Sequence, residues 1–156
     1  MLLPFFQWCE SLWLGQVVVG SQWLFPAIEA VHLLGLSLLG GALLVVDLRL
    51  LGLGLTGTPA VALARGTRPY LVGAIVLMFA TGVPLFLSEA VKCYYNDAFW
   101  VKMMTLPFAI AFTFTIRSQV MTDSVRNTAR RQKLAGALSI ALWFVVAAAG
   151  RWIGFS

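Results

Sequence analysis

The stretch from Pro26 to Leu51, PAIEAVHLLGLSLLGGALLVVDLRLL, limits the fold more than any other part of the chain. As a helix rising about 1.5 Å per residue it is long enough to cross a bilayer. Yet it carries Glu29, His32 and Asp47, ionisable groups that hydrocarbon does not accept without a partner. On a helix turning about 100° per residue, Glu29 and Asp47 share one line with Leu36, Gly40 and Leu43 close by, while His32 sits about 60° to one side. Arg49 falls on roughly the opposite side. One face of this segment is therefore expected to point into a bundle and hold something polar.

The remainder of the chain supplies that bundle. With 60% hydrophobic and 11% charged residues and a mean hydropathy of +0.89, the 156-residue chain belongs to the membrane class. Residues 4 to 22 mix Phe5, Trp8, Leu12 and Trp13 with Gln7, Glu10, Ser11 and Gln16, a pattern that suits an amphipathic helix in the headgroup layer. The start has no Lys or Arg ahead of its apolar residues and is a poor secretory signal, so it is expected to stay on the mature protein. Spanning helices are expected at about 26–51, 69–88, 99–117 and 134–153, all in a single transmembrane domain spanning residues 1–156. Gly82 and Pro84 predict a kink in the second span, where Pro84 cannot donate to the carbonyl of Ala80; Pro107 interrupts the third.

Four spans put both termini on one side, and the charges choose which side. Arg49, Arg65, Arg68, Arg117, Arg126, Arg130, Arg131 and Lys133 fall at one end; Lys92, Lys102 and Arg151 fall at the other. The more basic end is expected in the cytoplasm, with both termini outside the bacterial inner membrane. The net charge of +5 is thus a matter of loop placement and anionic lipid, not of nucleic acid. Every loop is too short to fold alone, so a large partner must be another chain, either a second copy or a larger membrane complex. Ser37 with Gly41 and Ala137 with Ala141 have the spacing that lets membrane helices pack closely or dimerise.

Counting depth from the outer ends, Glu29 and His32 lie roughly 5 and 9 Å inside the first span. Thr81, the free Ala80 carbonyl, Lys102, Met103, Met104 and Arg151 fall in the same layer, with Glu89 and Lys92 at its rim. Ion pairs are expected there, first between Glu29 and Arg151 or Lys102, while Asp47 stands apart and is expected to pair with a loop arginine such as Arg68. Two main readings of the layer stay open, with proton or small-solute passage as a third that would need more links than Asp47 alone provides. One is a network of Glu29, Glu89, Lys102, Arg151 and Asp47 that fixes helix order, with His32 neutral and donating to the Ala80 carbonyl or to Glu29.

The other reading makes His32 a ligand, with Glu29 as a further metal ligand. His32 is the only histidine, which excludes a di-iron cage and a bis-histidine haem within one chain. A five-coordinate haem b, haem held by His32 with Met103 or Met104, or copper remains. Cys9 and Cys93 are expected on the oxidising side, either bridged or as two free buried thiols. A lone histidine and the lack of a nucleophile beside a base argue against an enzyme acting alone.

The blocks EAVHLLGLSLLGG, DLRLLG, LFLSEAVKCYYNDAF with Lys102 following, and AGRWIGF resemble a family of small bacterial four-helix inner-membrane proteins of unknown function, over nearly the whole chain. More distantly, the histidine early in the first span, the glycines after it and the arginine at its inner end are similar to copper-resistance D membrane proteins and to the haem-binding protoporphyrinogen oxidase of bacteria. That likeness implies His32 as a haem or metal ligand. The functional expectation is an accessory or redox-linked membrane subunit with an outer-leaflet site around His32; the alternative is a cofactor-free structural subunit of a larger complex.

Overall fold

A computed structural model describes residues 2–122 and 128–155. Its regular structure is helical throughout: α1 (Leu3–Ser11), α2 (Trp13–Val19), α3 (Leu24–Leu51), α4 (Ala60–Ser88), α5 (Ala90–Tyr94), α6 (Asp97–Thr122) and α7 (Ala129–Ile153). The four long helices have 25 to 29 residues. At about 1.5 Å per residue that is roughly 38 to 44 Å, enough to cross a hydrocarbon core of about 30 Å with some tilt. They run alternately up and down, α4 and α7 packing on α3 and α7 also packing on α6. One end of the bundle, called here the terminal end, carries α1, α2 and the close of α7; the other is the loop end.

Local chemistry sets the helix boundaries. Gly52, at a φ of 77°, closes α3 with bonds from Gly52 N to Arg49 O and from Leu53 N to Leu48 O, a left-handed stop that suits glycine. Asn96 caps α6 by accepting from Ala98 N at 2.9 Å, and Asp97 places a negative charge in its first turn. Three boundaries differ by about five residues or more from those expected, one of them the start of the fourth span at Ala129, which puts Arg130, Arg131 and Lys133 inside α7 rather than in a loop before it. The second span begins at Ala60, so Pro69, Arg65 and Arg68 lie within α4 rather than before it. The third runs on to Thr122 through a π-helical turn, Thr113–Arg117, which places Arg117 inside the helix instead of at its end.

The segment before α3 is a pair of helices broken at Leu12, and it forms a roof over the terminal end. Gly15 of α2 lies so close to the Leu87 carbonyl that a Cβ would come within 2.4 Å of the oxygen. The Glu10 carboxylate accepts from Val91 N at 2.8 Å and so caps α5. Phe6 and Cys9 are buried with Leu87, Ala90, Cys93 and Phe99, and Phe86 stacks on Phe99 with centroids 5.5 Å apart. Phe5, Trp8 and Trp13 stay exposed on the other side, as an interfacial segment requires.

Below the roof, the interior alternates between polar and apolar layers. A central apolar belt contains Leu39, Leu43, Leu71, Ala74, Trp143 and Val146, and a smaller loop-end cluster contains Val46, Leu50 and Met121. The polar groups fall between these clusters, and their positions define the candidate site.

Candidate functional site

At the terminal end, His32 of α3 faces Thr81 and Gly82 of α4. Its Nδ1 lies 2.7 Å from Thr81 Oγ1, and Thr81 Oγ1 lies 2.7 Å from the Leu77 carbonyl. A hydroxyl has one hydrogen, and a carbonyl can only accept. Both short contacts are satisfied only if Thr81 donates back to Leu77 and His32 donates from Nδ1 to Thr81. Nδ1 then carries a hydrogen; in the neutral imidazole this is the Nδ1–H tautomer, whose lone pair is on Nε2. Gly82 supplies the seat for the ring, since a Cβ there would lie 3.3 Å from His32 Cε1.

Lys102 of α6 belongs to the same layer. Its Nζ lies against α7 at Gly150, 3.3 Å from where a Cβ would stand. Among the described residues Lys102 has no ion-pair partner, and neither Lys102 Nζ nor His32 Nε2 has a hydrogen bond. Neither atom is sealed, because no fully buried side-chain nitrogen or oxygen among the described residues lacks a partner. The layer therefore presents one basic lone pair and one cation, both with access to open space.

The loop-end layer contains a second polar group, which is closed. Asp47 is 0% exposed; Arg117 Nε donates to its Oδ1 at 2.6 Å and Ser139 Oγ to its Oδ2 at 2.7 Å. Arg117 Nη2 also reaches the Leu43 carbonyl at 3.3 Å, and Trp143 Nε1 donates to Thr113 Oγ1 at 2.9 Å. The π-helical turn carries both Thr113 and Arg117, so this local widening of α6 aims the guanidinium at α3. Gly136 lets α7 approach, for a Cβ there would lie 2.9 Å from the Asp47 carbonyl oxygen. Three helices are thereby joined through one carboxylate.

The residues singled out from sequence fall into place unevenly. Asp47 pairs with Arg117 and not with Arg68, because α6 continues past the expected end and brings Arg117 into the interior. His32 donates to the Thr81 hydroxyl instead of to Glu29 or to the carbonyl of Ala80, a residue that is itself exposed. Glu29 lies at the close of α7, with Oε1 3.9 Å from the place of a Gly154 Cβ, and no ion pair joins it to Lys102 or Arg151 among the described residues. Arg151 is exposed and lays its guanidinium over Phe155, 4.4 Å from the ring centroid. Glu89 makes a surface pair with Lys92 at 3.7 Å.

Met103 and Met104 are 37% and 62% exposed, on the lipid-facing side of α6. Among the described residues no group of three or more His, Cys, Asp and Glu could hold a metal. Cys9 and Cys93 are buried free thiols in the same roof cluster, not a disulfide. Arg130, Arg131 and Lys133 lie exposed in the first turns of α7, and Arg126 lies outside the described residues. Sequence reasoning missed Ser139 and the inward role of Arg117; the only available signal was that Asp47, deep in a span, needed donors from other helices.

These features define a multi-pass helical membrane protein with one closed and one open polar layer. The chain belongs to a family of unknown function, DUF6644, whose model matches residues 5–156. No curated protein and no solved structure matches it.

Proposed function

We propose that this protein is an accessory, redox-linked subunit of the bacterial inner membrane, with both termini outside, in which His32 offers a single imidazole ligand to a haem b or a copper ion. The observation that carries this reading is the Thr81 hydroxyl. By fixing Nδ1 as the donor it orients the ring and leaves Nε2 free, the arrangement that a supporting partner imposes on a metal-binding histidine. The orientation rests on the basic residues concentrated at the loop end.

One ligand per chain fits an accessory role. A haem or copper bound at Nε2 would supply the electron-transfer chemistry; its remaining ligands must come from a second copy, a partner subunit or an exogenous molecule. The chain's own residues orient the imidazole through Thr81 and seat it on Gly82, and Lys102 lies in the same layer against Gly150. Conduction through the bundle is a weaker reading. His32 and Asp47 are fifteen residues apart on α3, or about 22 Å, and the apolar belt of Leu39, Leu43 and Trp143 lies between them. A cofactor-free structural subunit is the second reading, favoured by the lack of a three-ligand cluster among the described residues.

The test is an absorption spectrum with metal analysis of the purified protein, wild type against His32→Ala. A Soret band or bound copper that disappears in the variant supports the ligand role. A colourless, metal-free, fully folded wild-type protein overturns it in favour of the structural subunit.

A further inference from the structure

Carboxylates at the terminal end have other positions or partners. Glu89 pairs with Lys92, Glu10 caps α5, Glu29 lies by Gly154, and Asp97 is exposed in the first turn of α6. Lys102 is thus a cation inside a membrane-spanning helix without a counter-charge among the described residues, which is a costly arrangement in hydrocarbon unless something else supplies the charge. Its amine does not extend along α6 to the headgroup layer. It reaches across to Gly150, three residues from the end of α7, or about 5 Å inside it.

From this geometry we infer that Lys102 is the anchoring residue of a site for the carboxylate of a membrane-borne amphiphile, one with a small acidic head and an apolar body. Gly150, lacking a Cβ, lets the Lys102 amine lie against α7, and its Nζ is the donor that the carboxylate would meet. This inference rests on reading the terminal layer as a ligand site, but it does not require a metal. A fatty acid and the carboxylate-bearing edge of a porphyrin share the required chemistry.

The experiment uses the full chain in detergent, with cis-parinaric acid as the probe, read by energy transfer from the protein's tryptophans. The expected result is that the acid binds at least tenfold more tightly than its methyl ester, that Lys102→Gln removes this preference, and that Lys102→Arg retains it. Acid and ester binding alike in the wild-type protein overturns the inference, and this arm needs no variant to fold. Acid binding unchanged in a folded Lys102→Gln variant also overturns it. Metal-free protoporphyrin distinguishes the sources: competition with parinaric acid that depends on Lys102 marks a porphyrin carboxylate, and failure to compete marks the single-chain acid. If the acid preference holds while the purified protein shows no Soret band and no copper, the metal reading fails and the carboxylate site stands.

Discussion

Asp47 at the loop end and His32 at the terminal end lie on one helix, yet their surroundings differ. Asp47 is wholly enclosed and has Arg117 at 2.6 Å and Ser139 at 2.7 Å. His32 has one partner, Thr81, and Lys102 in the same layer has none among the described residues. In the first layer the donors offered by α6 and α7 match the carboxylate oxygens. In the second, a lone pair and a cation are left over. The comparison separates a polar group that holds helices together from one with capacity to bind something else.

A series of single substitutions, followed by denaturant titration in detergent, would sharpen this contrast. Arg117→Ala strands the Asp47 carboxylate in the interior and should have the largest effect, a loss of about 3–5 kcal/mol. Ser139→Ala removes one hydrogen bond to a charged acceptor and should cost about 1.5–3 kcal/mol. Thr81→Val removes a neutral hydrogen bond in the open layer and should cost about 0.5–1.5 kcal/mol. If Thr81→Val proves as damaging as Arg117→Ala, the distinction between the layers fails.

A smaller effect is expected in the roof. Burial, helped by the negative charge of Glu89, pushes the Cys93 thiol up to about 11. The proton therefore stays on Cys93 at neutral pH, and the reactive thiolate appears only as the pH approaches that value. Alkylation of a Cys9→Ala protein by iodoacetamide should be slow at pH 8 and rise steeply only above about pH 10. Rapid labelling at pH 7 would show that the roof does not enclose the thiol.

The fold was largely readable from sequence because membrane helices declare themselves: four long apolar runs leave few other arrangements for backbone polar groups. The errors came where one local signal had two meanings. Pro69 suits the first turn of a helix and was read as a start, but it lies inside α4. Arg117 resembled the polar rim of a span, whereas the π-helical turn continues α6 and directs its side chain inwards. Ser139, among alanines and leucines, carries no periodic signal, and its role exists only because Gly136 brings α7 against Asp47.

At the terminal end, counting depth placed His32, Thr81 and Lys102 in one layer, because equal distance from helix ends survives modest errors in boundaries. It could not tell which groups face each other. Glu29, Arg151, Met103 and Met104 share that depth but point elsewhere, because depth fixes position along a helix and leaves its rotation open.

The central claim is that His32 is held as the Nδ1–H tautomer with Nε2 unprotonated and open. Because the chain contains one histidine, nitrogen-15 histidine labelling reports on this residue alone. The tautomer can then be read by solid-state NMR of the protein in lipid bilayers. The account predicts a protonated Nδ1, an unprotonated Nε2, and loss of that tautomer's definition in Thr81→Val. A protonated Nε2, with Nδ1 accepting from Thr81, would contradict it and remove the free lone pair on which the proposed ligand site depends.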